Sequence, residues 1–88
     1  GTKSVVNNCF IADGCVIDGT VKNSILFRGV KVEKGAVIEN SILMQGTSVG
    51  ADSQVNYVIS DKNAVIGSDT TVKGTEKKPF FIKKNQSL

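Results

Sequence analysis

Eighty-eight residues leave room for one small domain or for part of a larger protein, and an ordinary globular core of that size is only marginally stable. Hydrophobic residues make up 40% of the chain, which excludes wholesale disorder, and no apolar run is long enough to cross a bilayer. The net charge of +3 is mild and densest in the segment KKPFFIKK, so neither a nucleic acid nor a membrane is expected as a partner.

The opening GTKSVVNN has no apolar h-region and does not read as a signal peptide. Residues 1–5 are expected to be a linker, with Gly1 and Thr2 a remnant of cloning. From there one aliphatic residue recurs at each step: Val6, Ile11, Ile17, Val21, Leu26, Val32, Ile38, Leu43, Val49 and Val55, then Ser60, Ile66 and Val72. The steps are five or six residues, except for a short one from Ile17 to Val21. Three steps make a coil, so Val21, Ile38, Val55 and Val72 recur every seventeen residues, and the phrase NSILFRGVKV at Asn23 returns as NSILMQGTSV at Asn40. A helix would place apolar residues three and four apart. This spacing instead matches a parallel β-helix of hexapeptide type, in which each side of a triangular coil is one short strand.

Two further columns agree with that frame. Three residues after the aliphatic position of each six-residue step stand Gly14, Gly29, Gly35, Gly46, Asp52, Asn63 and Asp69. Gly, Asp and Asn are the residues that enter positive φ most readily, as a coil turning a corner every six residues requires. The next residue is always small (Cys15, Val30, Ala36, Thr47, Ser53, Ala64, Thr70), which suits an inward position in a narrow hollow. Asn8, Asn23 and Asn40 occupy equivalent corners and are placed to stack their amides, with Tyr57 breaking the ladder at the fourth. Stacked coils bury what no single coil can, and about four coils cover residues 6–74.

On one side of the triangle the residue before each inward aliphatic is Phe10, Ile25, Ile42 or Ile59, with Phe27 and Met44 just past the corner. Stacking would align these into an apolar ribbon of the kind that marks an interface. Its expected occupants are another domain, another subunit or the chain's own tail. That tail, residues 75–88, drops the repeat after Val72. Its Pro79 followed by Phe80, Phe81 and Ile82 reads as a turn and one last short strand, able to cap the open end of the stack. Asn85-Gln86-Ser87 fits a glycosylation sequon, which is silent in a protein that does not enter a secretory path.

Catalytic chemistry is not expected within these residues. Acyltransferases built on this repeat use a His as general base, and the chain has none. Cys9 and Cys15 fall on different sides at inward small positions, which argues against a shared metal and fits a reduced intracellular protein. No phosphate-binding Gly-rich loop is present.

The string DGCVIDGTVKNSILFRGVKVEKGAVIENSILMQGTSVG resembles the C-terminal β-helix of bacterial glucose-1-phosphate adenylyltransferase, and NSILFRGVKVEKGAVIENSILMQ is similar to its GlgD-type subunits. The resemblance runs from about Val5 to Thr75. It implies an all-β fold, a single-stranded left-handed parallel β-helix with a short C-terminal tail, in a cytoplasmic protein. It further implies a preceding nucleotidyltransferase domain that holds glucose 1-phosphate, ATP and Mg²⁺, and a heterotetramer or homotetramer in which the β-helix touches that domain and other subunits. Effector phosphates bind near the junction in that family, where a turn between the last strands carries a basic residue. The matching stretch ISDKNAVI puts Lys62 there, and Arg28 is a second corner cation; the competing reading of both is solvated surface charge. The alternatives are the β-helix of another sugar nucleotidyltransferase, such as a mannose-1-phosphate guanylyltransferase or a translation-factor exchange subunit, and then a hexapeptide acyltransferase.

Overall fold

The computed structural model describes residues 4–88. The reading of Gly1 and Thr2 as a cloning remnant lies outside the described residues, as does Lys3. Among the described residues, fourteen strands of two or three residues form three wholly parallel sheets, one for each side of a triangular prism. The first sheet stacks β1 (Val5–Asn7), β4 (Thr20–Lys22), β7 (Val37–Glu39), β10 (Gln54–Asn56) and β13 (Thr71–Lys73). The second stacks β2 (Phe10–Ile11), β5 (Ile25–Leu26), β8 (Ile42–Leu43), β11 (Val58–Ser60) and β14 (Phe80–Ile82). The third stacks β3 (Val16–Ile17), β6 (Lys31–Val32), β9 (Ser48–Val49) and β12 (Val65–Ile66). Among the described residues there is no helix.

Register places the aliphatic column in three inward rows. Val6, Val21, Ile38, Val55 and Val72 pair in sequence along the first sheet. Ile11, Leu26, Leu43, Ser60 and Ile82 do so along the second, and Ile17, Val32, Val49 and Ile66 along the third. From Val21 onward these side chains are at most 5% exposed. Val6, by contrast, is 49% exposed and Ile11 and Ile17 are half-buried, because the first coil has no described coil above it.

The corners follow the predicted column. All seven expected positions, from Gly14 to Asp69, have φ between 56° and 80°. The five-residue corners turn at Asn8, Asn23, Asn40 and Tyr57, with φ of 50° to 56°. Asn8 Nδ2 donates to Asn23 Oδ1 at 2.6 Å, as the ladder predicts, but Asn40 Nδ2 donates to Asn56 Oδ1 at 3.1 Å instead. At the short step the chain turns through Asp18 and Gly19 alone; a Cβ on Gly19 would overlap the Ala36 carbonyl oxygen, so the tight approach of the first two coils needs a glycine there.

Polar groups inside the prism are paired, as a dry interior requires. Ser24 Oγ accepts from the Ser41 amide at 3.1 Å and Ser41 Oγ accepts from the Val58 amide at 3.1 Å, bridging successive coils where the backbone ladder is broken by a corner. Ser60, the one polar member of the inward column, is fully buried and shares a 2.8 Å hydrogen bond with Thr47 Oγ1.

The tail forms the expected last short strand, and it does so as a further rung of the stack. After Val72 the chain inserts a loop closed by reciprocal Thr75–Lys78 backbone bonds of 3.0 and 3.1 Å, then re-enters the stack. Phe80, Phe81 and Ile82 pair with Val58, Ile59 and Ser60, and Ser87 bridges to Val65. Ile82 is fully buried in the inward row and Asn85 takes the corner with φ 61°. The repeat therefore resumes rather than ending at Val72, because the inserted residues lengthen the spacing along the chain without changing the register in space.

Candidate docking face and cationic corner

Outward columns decide what each side of the prism offers. The first sheet presents Thr20, Val37, Gln54 and Thr71 in one column and Lys22, Glu39, Asn56 and Lys73 in the other. The third presents Val16, Lys31, Ser48 and Val65. Both are mixed. On the second sheet, Phe10 pairs with Ile25, Ile25 with Ile42, Ile42 with Ile59 and Ile59 with Phe81, so five apolar side chains stand in one unbroken row. Phe10 is 65% exposed, Ile25 39% and Phe81 57%, and Ile42 and Ile59 are half-buried. Phe27, 40% exposed, and half-buried Met44 follow this row along two successive strands.

Each interface residue named from the sequence thus lies on this one face. Two features were not read from the sequence. Phe81 is the fifth member of the row, so the tail lengthens the face instead of lying over it. The segment Ile82-Lys83-Lys84-Asn85 also repeats the offsets of Ser60-Asp61-Lys62-Asn63, which could have revealed the fifth rung, but the inserted loop hides it from a search at seventeen-residue spacing.

Beside the row, the turn after each strand of the second sheet forms a corner stack. The Gly29 amide donates to Asp13 O at 3.2 Å, Gly46 to Arg28 O at 3.0 Å, Asn63 to Gln45 O at 2.9 Å and Asn85 to Lys62 O at 3.0 Å. These bonds order Asp13, Arg28, Gln45, Lys62 and Lys84 up one edge of the prism. Arg28 and Lys62, the two predicted cations, are both exposed and share this edge, two rungs apart with Gln45 between them. At about 4.8 Å per rung their backbones are roughly 10 Å apart, a gap that two long side chains can close on a phosphate-sized anion. A shallow groove of about 350 Å³ runs along the edge, lined by Asp13, Arg28, Gln45 and Asn63 over a floor of Gly14, Gly29 and Gly46. Lys62 lies outside this lining, and its amide donates to Asp61 Oδ1 at 2.7 Å.

Among the described residues, no three His, Cys, Asp or Glu side chains converge as a metal site. The half-buried thiols of Cys9 and Cys15 donate to backbone carbonyls, Cys9 to Asn7 O at 3.1 Å and Cys15 to Phe27 O at 3.1 Å. No helix among the described residues is long and apolar enough to cross a membrane.

A three-sided parallel solenoid turning at positive-φ residues every five or six positions is a hexapeptide-repeat β-helix domain. The chain belongs to the family described as GlmU-like, C-terminal hexapeptide, whose profile matches residues 1–80. Over 84 residues it is 54% identical to the glycogen biosynthesis protein GlgD of Bacillus subtilis (strain 168) and 58% identical to that of Geobacillus stearothermophilus, covering 96% of this chain and 24% of each relative. A stretch of 39 residues, 44% of this chain, is 46% identical to 10% of the glucose-1-phosphate adenylyltransferase of Clostridium botulinum (strain Eklund 17B / Type B). The likeness to GlgD thus extends over nearly the whole chain, which spans about a quarter of the length of those relatives.

Proposed function

We propose that this chain is the C-terminal regulatory and subunit-assembly domain of a GlgD-type protein, acting in the cytoplasm beside a glucose-1-phosphate adenylyltransferase that makes ADP-glucose and pyrophosphate from ATP and glucose 1-phosphate. The reaction belongs to nucleotidyltransferase domains outside these residues. The domain's part is to hold such a domain or a neighbouring subunit, in a heterotetramer or homotetramer, and to pass on the effect of a phosphorylated effector.

The apolar row on the second sheet carries this reading. A protein whose other two faces are mixed has no folding reason to align Phe10, Ile25, Ile42, Ile59 and Phe81 on the outside, and an exposed row of that kind favours association. Identity to GlgD over 96% of the chain supports the glycogen context. The shared edge of Arg28 and Lys62 supports an anion site beside the docking face.

The test is coexpression of the full-length subunit with a catalytic adenylyltransferase subunit. Ile42→Lys is expected to reduce co-purification at least about tenfold by placing a charge in the apolar contact. Lys62→Ala is expected to leave assembly intact and shift the effector concentration for half-maximal response about three- to tenfold. Unchanged assembly with Ile42→Lys, together with an unchanged effector response with Lys62→Ala, would overturn the proposal.

A further inference from the structure

The net charge of +3 is not spread evenly along the stack. Residues 71–88 form the last coil: β13 is the fifth strand of the first sheet, β14 the fifth of the second, and Ser87 bridges to Val65 at the end of the third. Five of the chain's 11 cations fall in that coil, Lys73, Lys77, Lys78, Lys83 and Lys84, against one of its 8 acids, Glu76, and all six side chains are exposed. The coil beneath, with Lys62 between Asp61 and Asp69, has no excess of cations. The free end of the last coil is apolar at its centre. Phe80 pairs with the fully buried Val58, and the Gly67 amide donates to Leu88 O at 3.0 Å as the Gly50 amide does to Ile66 O one coil below. Phe80 and Leu88 therefore continue inward columns, yet they are 40% and 39% exposed because no described coil lies beyond them.

From this end we infer a second binding surface: the last coil rests on an anionic lipid surface, its lysines among the headgroups and Phe80 and Leu88 at the boundary with the acyl chains. A lysine cluster and exposed apolar side chains are the two signals that together give reversible attachment to an anionic bilayer. The absence of arginine from this coil favours lipid over protein or nucleic acid. Arginine is enriched at protein interfaces and reads phosphates and bases with its planar fork, whereas lysine is depleted at such interfaces and carries a hydrated point charge on a flexible stem. Free backbone groups on the last strands stay hydrated in the headgroup layer, where an open sheet edge is tolerated. Lysine on an open strand also blunts edge-to-edge pairing, and that role alone would give no affinity for lipid. The inference is independent of the docking role, since the strip lies on a side of the prism and this surface on its end.

The test is co-sedimentation of this chain with vesicles of equimolar phosphatidylglycerol and phosphatidylcholine, compared with vesicles of phosphatidylcholine alone. Binding is expected to be at least about tenfold tighter to the anionic vesicles and to fall away at about 1 M salt. Lys83→Glu with Lys84→Glu should weaken it at least about tenfold, and Phe80→Ser about three- to tenfold. Lys31→Glu with Lys34→Glu makes the same change of charge on the second coil and should leave binding within about twofold; circular dichroism checks that each variant keeps its fold. Absence of binding, equal binding to the two kinds of vesicle, or equal loss with the two double substitutions would overturn the inference. So would tighter binding to polyglutamate or to single-stranded RNA than to the anionic vesicles.

Discussion

Tyr57 holds a φ of 53° at a corner where the three preceding coils use Asn. An aromatic side chain in the left-handed region is strained by contact between Cβ and its own backbone, by about 1 kcal/mol or more, whereas Asn relieves part of that through local hydrogen bonding. Tyr57→Asn is therefore expected to stabilise the fold by about 1 kcal/mol, read as a higher urea midpoint at unchanged slope; a lower midpoint would mean that packing of the half-buried ring outweighs the strain. The corner itself was legible, because Gly, Asp and Asn at fixed offsets announce positive φ. The hydrogen-bond partners were less so. Asn40 turns to Asn56 rather than to Asn23, a choice made by the position of a neighbouring outward side chain that a one-dimensional pattern does not contain. Ser60 stood out as the polar break in the inward column, but its buried partner Thr47 lies thirteen residues away on another side of the prism, where no periodicity connects them.

Strands of two or three residues have little stability of their own, and here each is held by the register of the ones above and below. That is why the element pattern could be read so far: a five- or six-residue step leaves one way to stack aliphatic side chains, and the structure keeps it from Val6 to Val72. The last strand escaped the frame for a physical reason too. Extra residues at a corner are invisible to the sheets, since only the side of each coil must keep its length. Deleting Thr75 to Pro79 would leave Val72-Lys73-Gly74-Phe80-Phe81-Ile82, a five-residue step with glycine at the corner position held by Asn in three coils and by Tyr57 in the fourth. The shortened chain is expected to fold with β14 in its present register and with stability within about 1 kcal/mol of the parent, as measured by chemical denaturation and by protection of the Asp61 amide, which donates to Ile82 O at 2.8 Å. Loss of that protection would show that the loop is needed to seat the strand.

Across the whole molecule burial is graded along the stack. The inward rows are closed from Val21 to Ile66, each member at most 1% exposed, while the first coil leaves Val6 49% exposed. In a repeat protein each coil draws its stability from its neighbours, so the isolated domain is expected to open from that end. Hydrogen exchange should show amides of β1 to β3 exchanging at least about tenfold faster than those of β7 to β10, and uniform protection would mean that the stack unfolds as a single unit. The candidate site was partly legible: Phe10, Ile25, Ile42 and Ile59 fell on one face as soon as the coils were aligned, whereas Arg28 and Lys62 were read only as separate turn cations, and the edge they share follows from the backbone bonds between the turns. What the spacing left out was Phe81 and Lys84, hidden behind the inserted loop. That same loop has a practical consequence. The vertex between β13 and β14 already tolerates extra peptide, so a fluorophore or an affinity handle grafted between Thr75 and Lys78 would report on the domain from beside the strip and leave its five side chains free to be occupied.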